Sequence, residues 1–318
     1  MNDLANKKIL IAGGTGQIGS FLAEKLINSG AIVYILGRNL KKDYFQETKI
    51  NESNNFIKFD LINDDIESIK NKIKDVDYLV HSISDISHET TDLFYDARNS
   101  IDVNLKILSP LLCNLQSIKG ICFLSSIAVY GKTPSFPIDE NHSTNPISFY
   151  GCAKLGAEKF LQNHCDHMHI PLTILRISQV FGPRNLSNQV IPMFIKKFLN
   201  NESVSIVNDV SKDFIYVTDV VDVIITSILK NKNGIFNIGS GEKITINKIS
   251  NIISKLTKSK NETQIIEKQG EYNSFIKINK AQNELNFLPK ITLEQGLKKE
   301  IEWHTKYNDY GYFGKFGE

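Results

Sequence analysis

The stretch ILIAGGTGQIGSFLAEKLI near the start of the chain places an apolar strand, a glycine-rich turn and a helix in direct succession. Gly13, Gly16 and Gly19 form the pattern G-x-x-G-x-x-G within it. Glycines let the chain turn tightly, let a pyrophosphate approach the backbone and let the helix lie close to the sheet. Because free N–H groups and the positive dipole end of the helix face the turn, the stretch predicts a dinucleotide site. The other turn residues predicted to contact the cofactor are Thr15, Gln17 and Ile18.

Short apolar runs alternate with helical segments through the first half of the chain, as in KKILIA, AIVYIL, DYLVHS, GICFLS and PLTILRI. Continuous apolar strands separated by helices are typical of a parallel sheet covered on both faces. The sequence thus predicts an α/β fold with a doubly wound, Rossmann-like parallel sheet and a smaller C-terminal α/β region. We place a dinucleotide-binding domain at 1–178, with part of 213–238 packing back onto it, and a substrate-binding region at 179–318. Helices are predicted over 62–75 and 91–116.

The net charge of the chain is small, since 37 basic and 35 acidic residues give +2 at neutral pH. This balance predicts neither a nucleic-acid partner nor a membrane surface, and no apolar run reaches the length that spans a bilayer. The N-terminus lacks the long apolar region of a signal peptide. The four cysteines show neither C-x-x-C pairs nor metal-ligand spacing, so we predict reduced thiols, no metal site and a cytoplasmic protein.

The end of the second predicted strand, AIVYILGRN, distinguishes between the two nicotinamide cofactors. An NAD site usually has an acidic side chain here, which accepts hydrogen bonds from the adenosine ribose. This chain has Gly37 followed by Arg38, and a guanidinium suits the 2′-phosphate of NADP. We therefore predict NADP, with NAD as the alternative in case Arg38 only projects into solvent. Asp60, at the end of a later strand, is predicted to accept from the adenine amino group, and Leu61 to border the ring.

A tyrosine and a lysine lie four residues apart, at Tyr150 and Lys154, in the helical stretch SFYGCAKLGAEKFLQNH. Residues at this spacing share a helix face, so the pair alone is compatible with a surface contact. Further motifs of the chain are DVN, SSIAVYG, LRISQVFGPR, KDFIYVTDVV, FNIGSG and the C-terminal INKAQNELNFLPKITLEQGLKKEIEWH. With these motifs and the glycine turn, the chain resembles the extended short-chain dehydrogenase/reductases, in particular their nucleotide-sugar epimerase/dehydratase/reductase family. This resemblance favours a catalytic role for the pair.

The resemblance implies catalytic roles for Ser126, Tyr150 and Lys154. Tyr150 exchanges a proton with a substrate hydroxyl or carbonyl while a hydride moves to or from the nicotinamide, and Lys154 bonds the nicotinamide ribose. A free tyrosine titrates near pH ~10, so we expect Lys154 and the oxidised nicotinamide to favour the phenolate. Ser126 is implied to hydrogen-bond the reacting sugar oxygen. The other residues that the resemblance places at the cofactor are Ser82, Asn104 and Ser125.

The chain departs from the family pattern at two places. Dehydratases of the family carry an Asp-Glu pair directly after the catalytic threonine, whereas Ile127 and Ala128 follow Ser126 here. Because elimination needs that acid and base, we expect no 4,6-dehydratase activity. Gln179 stands where many members have asparagine, and Lys212 replaces an arginine that often binds the sugar-nucleotide diphosphate. The residues predicted to bind the substrate are Ser126, Gln179, Arg184, Lys212 and Lys268.

The resemblance, together with these departures, implies an NADP-dependent enzyme that reduces a 4-keto group on a nucleotide-linked sugar. The alternative is a 4-epimerase that keeps its cofactor bound and returns the hydride to the sugar, because both reactions use the same catalytic residues. A non-catalytic NADP-binding sensor or scaffold is a third alternative, although such proteins tend to lose the tyrosine or the lysine. By analogy with the family, we also expect a homodimer that pairs the helices at 91–116 and 150–164.

Overall fold

The computed structural model describes residues 2–40, 56–60, 63–84, 93–259, 263–267 and 272–307. Among these residues, the strands of the main sheet are β1 (Lys8–Ala12), β2 (Ile32–Gly37), β3 (Phe56–Lys58), β4 (Tyr78–His81), β5 (Gly120–Ser126), β6 (Leu172–Ile177) and β11 (Gly234–Ile238). The strands of smaller sheets are β7 (Gln179–Phe181), β8 (Val204–Val207), β9 (Ser211–Lys212), β10 (Phe214–Tyr216), β12 (Ile244–Thr245) and β13 (Thr263–Ile266).

The α-helices of the described residues are α1 (Gln17–Asn28), α2 (Lys70–Ile73), α3 (Leu93–Ile101), α4 (Leu108–Cys113), α5 (Phe149–Met168), α6 (Val190–Leu199), α7 (Val217–Lys230), α8 (Ile246–Thr257), α9 (Asn279–Leu285) and α10 (Leu293–Tyr307). None of these described helices combines the length and the apolar character that crossing a bilayer requires. Helix α5 begins after Ser148, whose hydroxyl accepts from the Gly151 N–H at 3.1 Å. This N-cap fixes the first turn, in which Tyr150 lies.

The main sheet is parallel throughout, in the order β11-β6-β5-β4-β1-β2-β3. Strands β4 and β6 are buried along their whole length, as expected for strands that are covered on both faces. The strand order reverses direction between β1 and β4, and folds of this kind bind ligands in the crevice at such a point. The predicted doubly wound α/β fold is confirmed.

Helices cover both faces of the main sheet. On one face, Leu22 of α1 and Ile224 of α7 belong to the same buried core. On the other face, Leu111 of α4 and Leu161 of α5 belong to a second core. Because α5 packs along β5 and β6, its first turns lie beside the carboxyl end of β5.

The region after residue 178 builds a third core of its own. Strand pairs β10–β7 and β13–β8 are parallel, whereas β12–β9 is antiparallel. Helices α6, α8 and α10 bury Phe194, Ile249 and Leu297 in this core. Strand β11, which comes from the segment 213–238, pairs with β6 at the end of the main sheet. The division of the chain at residue 178 stays a prediction.

The two long helices predicted for the first half differ from the structure. Within 63–75, the helical parts are a 3-10 turn at Ile66–Ser68 and α2, since the Asp65 side chain accepts from the Glu67 N–H and favours a turn. The helix predicted over 91–116 is interrupted by a π-helical turn at Asp102–Lys106. The physical reason lies in Asn104, whose buried Nδ2 donates to a carbonyl four residues earlier and competes with the helical backbone pattern.

Candidate active site

The glycine turn joins β1 to α1 at the carboxyl edge of the main sheet. Gly13 has φ +88°, and a Cβ on it would lie 2.9 Å from the Ile83 nitrogen. A Cβ on Gly19 would lie only 2.4 Å from the Gly13 carbonyl oxygen, so the third glycine lets α1 approach the turn. Gly16 is the N-cap of α1, and no described side chain caps the first N–H groups of the helix. This turn fits a dinucleotide pyrophosphate, because the first N–H groups of α1 carry no side-chain cap and Gly16, directly before them, has no side chain that would cover them.

The Gln17 side chain joins this turn to the chain that follows β7. Its Nε2 donates to the carbonyl oxygens of Gly182 at 2.8 Å and Pro183 at 3.2 Å. The Gly182 N–H in turn donates to Glu300 Oε2 of α10 at 2.7 Å. Both backbone polar groups of Gly182 are therefore bound to distant helices. The Ile18 side chain packs against the sheet core and the third core alike.

The carboxyl end of β2 carries no acidic side chain. A Cβ on Gly37 would lie 2.8 Å from Thr15 Oγ1, so Thr15 fills the space that a side chain at position 37 would need. Arg38 follows and is exposed. Asp60 lies after β3, where its Oδ2 accepts from Asn63 Nδ2 at 3.0 Å. Leu61, the predicted neighbour of the adenine ring, lies outside the described residues.

Tyr150, Lys154 and Ser126 come together at the carboxyl end of β5. The Ser84 hydroxyl, on the chain after β4, donates to Tyr150 Oη at 3.4 Å. The Ser126 hydroxyl also interacts with Tyr150, while its oxygen accepts from the Ala128 N–H at 3.2 Å. Lys154 Nζ lies 5.9 Å from the centroid of the Tyr150 ring. The predicted catalytic side chains thus form one cluster, in which their roles stay predictions.

The protein surroundings of Tyr150 by themselves favour the phenol over the phenolate. Burial raises the pKa of Tyr150 above its ordinary value, and the hydrogen bonds with Ser84 and Ser126 only partly oppose this shift. Burial likewise lowers the pKa of Lys154 to about 7, against the attraction of Glu158. Low-dielectric surroundings disfavour the charged form of each group. The phenol form suits the donation of a proton to a carbonyl oxygen, and the phenolate expected beside Lys154 and an oxidised nicotinamide stays a prediction.

Three predicted cofactor neighbours use their side chains within the protein. Ser82 Oγ donates to the last carbonyl of β1 at 2.9 Å. Ser125 lies inside β5 rather than at its end, and its hydroxyl donates to Glu158 at 2.5 Å. Asn104 Nδ2 donates to the Ser100 carbonyl at 3.0 Å, whereas the buried Asn104 Oδ1 has no hydrogen-bond partner among the described residues. Their predicted contacts with a cofactor stay predictions.

Two predicted substrate residues line a shared cavity between β7, α6 and β9. Gln179 and Lys212 border it together with Val190 and Phe214. A polar amide, an ammonium group and an apolar wall thus converge on one concave surface. Lys268 lies outside the described residues.

Arg184 lies away from this cavity, on the surface of α1. Its guanidinium pairs with Glu24 at 2.6 Å, donates to Ser20 Oγ at 3.1 Å and lies 4.1 Å over the Phe21 ring. These contacts hold the chain after β7 against the cofactor helix. The predicted substrate contact of Arg184 stays a prediction.

The model of the NAD dependent epimerase/dehydratase family matches residues 9–239, well over half of the chain. The chain belongs to this family. A protein of Methanocaldococcus jannaschii provisionally named a UDP-glucose 4-epimerase is 33% identical over 311 residues, which cover 94% of this chain and 99% of the relative. The predicted family and the prediction of an enzyme are confirmed.

Two solved structures extend this similarity to three dimensions. The UDP-N-acetylglucosamine 4-epimerase of Methanobrevibacter ruminantium is 30% identical with a TM-score of 0.82, over 95% of this chain and 99% of that one. The UDP-glucuronic acid 4-epimerase of Bacillus cereus, solved with UDP-glucuronic acid and NAD, is 25% identical with a TM-score of 0.83, over 94% and 99%. The described fold is therefore that of the family along nearly the whole chain.

Sequence analysis missed two members of the site region of this family chain. Ser84, which reaches the Tyr150 hydroxyl, lies three residues after the end of β4, and its position after a strand was the available signal. Glu158 lies four residues beyond Lys154, so the four-residue spacing that drew attention to Tyr150 also points to Glu158.

Asp213 organises the loop after β11 from a fully buried position. Its Oδ1 accepts from the Ser240 N–H at 2.8 Å and the Ser178 hydroxyl at 2.9 Å, and its Oδ2 accepts from the Gly241 N–H at 2.8 Å. Burial raises the pKa of Asp213 to about 6 against these hydrogen bonds. The two carboxylate oxygens thus serve two different backbone donors.

Asp213→Asn is expected to lower the free energy of unfolding by about 1–3 kcal/mol, because an amide offers one acceptor oxygen and turns its NH₂ group toward a backbone N–H. Chemical denaturation at neutral pH measures this loss.

The stability of the wild-type protein should also depend on pH through Asp213. The folded-state pKa of Asp213 is raised, so the stability gained from its protonation is complete below the unfolded value of 3.8 and disappears as the pH rises through about 6. The variant should lack this dependence. Asp209→Asn is the control, since the hydrogen bond that Asp209 accepts within the described part of the chain is that of the Asn247 N–H to one of its oxygens. Equal losses in both variants would contradict the prediction.

Proposed function

We propose that the protein transfers a hydride reversibly at C4 of a sugar carried on a nucleoside diphosphate, with 4-epimerisation as the net reaction. The observation that carries this proposal is the cluster of Tyr150, Ser84, Ser126 and Lys154 beside the glycine turn. The names of the three similar proteins support C4 as the reacting carbon and epimerisation as the outcome.

The residues of the cluster supply the proton chemistry of this reaction. A bound nicotinamide would supply the hydride exchange. Tyr150 would take the proton of the C4 hydroxyl as the carbonyl forms, and would return it to the same oxygen when the alcohol forms again. The Ser126 hydroxyl holds the reacting oxygen, and the Lys154 ammonium favours the anionic form of Tyr150 in the oxidising direction. Elimination of water is not proposed, because Ile127 and Ala128 supply neither acid nor base.

The cavity beside β7 is the proposed substrate site. Lys212 neutralises part of the diphosphate charge, although an ammonium cannot form the bidentate fork of an arginine. Gln179 offers an amide to the sugar or its carrier. A nucleotide-linked sugar is therefore the proposed partner of this surface.

Net reduction of a 4-keto sugar is the second candidate, and Arg38 favours it. An exposed guanidinium after a β2 end without a carboxylate suits the 2′-phosphate of NADP, a cofactor typical of net reductions. Because of Arg38, we propose NADP as the cofactor. NAD is the alternative, since the Bacillus cereus neighbour was solved with NAD.

Incubation of purified protein with UDP-linked sugars and with 4-keto-sugar nucleotides tests the two candidates. Interconversion of two C4 epimers without net consumption of cofactor is the expected result. Stoichiometric oxidation of NADPH on the keto sugar would select the reductase. Turnover of ketones without a nucleotide carrier, and of nothing else, would rule out both.

Arg38→Ala is expected to weaken NADP binding by about 10–100-fold, since a charge-assisted hydrogen bond contributes about 1.5–3 kcal/mol. NAD affinity should stay unchanged, because NAD has no 2′-phosphate. Calorimetric titration with both cofactors measures the difference. Arg98→Ala is the matched control, since Arg98 is another exposed arginine, on α3, and pairs with Asp102 in the turn that follows this helix. Equal loss of NADP affinity in both variants would refute the assignment.

A homodimer through α3 and α5 is also proposed. These helices pack together and leave large apolar side chains exposed. The exposed residues are Tyr95 and Ile101 on α3 and Phe149, Phe160 and Met168 on α5. A second copy would remove this apolar area from water. Sedimentation equilibrium decides the matter, and a monomer at micromolar concentration would exclude the dimer.

A further inference from the structure

Three polar side chains recur at four-residue intervals along α5, namely Tyr150, Lys154 and Glu158. Residues four apart lie on the same face of a helix, about one turn from each other. Lys154 is 1% and Glu158 0% exposed, so these two charged groups lie in the interior rather than on a solvated face. Burial of an ion costs free energy that specific partners have to offset.

Two neighbouring strands hold Glu158 in one orientation. Arg176 on β6 donates from Nε to Oε1 at 3.0 Å and from Nη2 to Oε2 at 2.7 Å, the bidentate geometry of a strong ion pair. Ser125 on β5 donates to Oε1 at 2.5 Å. The Arg176 guanidinium also lies 4.8 Å from the centroid of the Tyr130 ring. Burial alone would lower the pKa of the Arg176 guanidinium. The hydrogen bonds and the charge of Glu158 outweigh this effect and raise the pKa above its ordinary value.

The other partners of buried Lys154 are neutral groups, among them the Phe123 ring, whose centroid lies 5.1 Å from Nζ. Its Nζ donates to the carbonyl oxygens of Ile83 and Leu124, each at 3.0 Å, and neither acceptor carries a formal charge. Burial lowers the pKa of Lys154 to about 7, and within the described chain Glu158 is the acidic group that opposes this shift. His81 faces Lys154 from β4, but burial lowers its pKa to about 3, so its ring is neutral at neutral pH.

We propose that Glu158 is a positioning residue, whose fixed carboxylate one turn behind Lys154 keeps that ammonium charged and in place and thereby sustains proton transfer at Tyr150. The catalytic consequence of this inference rests on the proposed function. The effect of the Glu158 charge on Lys154 is a property of the chain and involves neither substrate nor cofactor. Because Glu158 lies between two cations, Arg176 offsets part of its effect on Lys154. Removal of the carboxylate alone should therefore lower the pKa of Lys154 more than removal of both members of the ion pair.

Two variants separate the charge of Glu158 from its structural role. E158Q keeps the shape of the side chain and removes its charge. E158Q/R176M removes both charges, so it leaves no buried guanidinium without a carboxylate partner. The double variant therefore allows the measurement even if E158Q alone is too unstable. The measurement is the chemical shift of carbon-13 at lysine Cε, followed by NMR as the pH changes. The Lys154 signal is assigned as the one that is absent from the spectrum of Lys154→Met. This measurement needs neither substrate nor cofactor.

The expected midpoint of the Lys154 titration is about 7 in the wild-type protein. E158Q should lower it by about one pH unit or more, because the loss of a neighbouring opposite charge disfavours the ammonium form. E158Q/R176M should lower it less, since a repelling cation leaves at the same time. At neutral pH, the E158Q enzyme should lose kcat while KM stays near its wild-type value.

Lys154 midpoints that equal the wild-type value in both variants would overturn the inference, even if both variants are less stable, because a merely structural role moves stability alone. The catalytic proposal is judged separately. If the wild-type protein turns over no nucleotide-linked sugar, the proposed function fails, while the Lys154 midpoints still decide whether Glu158 acts on Lys154.

Discussion

Tyr150→Phe is expected to lower kcat by about 10²–10⁴-fold, the usual contribution of a general acid or base. The change removes one oxygen atom and with it the proton path to the sugar hydroxyl. Cofactor affinity should stay within about twofold of the wild-type value, since no charge is removed. Single-turnover measurements with saturating cofactor, together with a cofactor titration, separate the chemical step from binding.

Tyr78→Phe is the matched control for this experiment. Tyr78 begins β4 and therefore lies at the amino edge of the same sheet, opposite the catalytic cluster. Its replacement removes the same atom without touching the site. A Tyr150→Phe enzyme as active as the Tyr78→Phe enzyme would show that Tyr150 has no part in proton transfer.

Gly19→Ala should have the second-largest effect, on both stability and cofactor binding. The new Cβ would lie 2.4 Å from the Gly13 oxygen and 2.6 Å from Gly14 Cα, and these backbone atoms cannot move aside cheaply. We expect a loss of about 1–3 kcal/mol in unfolding free energy, the usual cost of overpacking. Cofactor affinity should fall at least about tenfold, because α1 moves away from the turn that holds the phosphates. Thermal unfolding and cofactor titration measure the two effects.

Gly156→Ala makes the same chemical change in a helix interior with room for it. A Cβ on Gly156 would meet its nearest atom, Leu105 Cδ2, at 3.7 Å, which is an ordinary contact. This control should gain about 0.5–1 kcal/mol from the better helix propensity of alanine. If Gly19→Ala binds the cofactor as tightly as Gly156→Ala does, the close approach of α1 to the glycine turn does not contribute to cofactor affinity.

Local chemistry explains which features the sequence could predict. The glycine turn depends on residues within one short stretch, and Tyr150 and Lys154 share a face because helix geometry fixes side chains four residues apart. The parallel sheet followed from continuous apolar runs, a pattern that describes each strand by itself. These features need no knowledge of distant contacts.

Long-range packing explains what the sequence could not predict. The pKa of Tyr150 depends on burial by distant parts of the chain, which raises it, and on the opposing hydrogen bond with Ser84, and neither contribution is visible in the spacing of Tyr150 and Lys154. The place of Arg184 depends on Glu24, which lies far away along the chain. The interruption of the helix at Asn104 came from a buried amide that competes with the backbone.

The hydrogen bonds of Gly182 set a rule for exchanging parts between members of this family. Gly182 accepts from Gln17 in the first helix and donates to Glu300 in the last, so one residue ties together the two ends of the chain. A chimera that takes everything after residue 178 from a relative would keep Gln17 as the donor, and its acceptor is a backbone carbonyl that any residue at position 182 carries. The incoming segment therefore has to keep the backbone course of Gly182 beside α1 and a carboxylate at the position of Glu300, whereas the residue type at position 182 matters less for these two bonds.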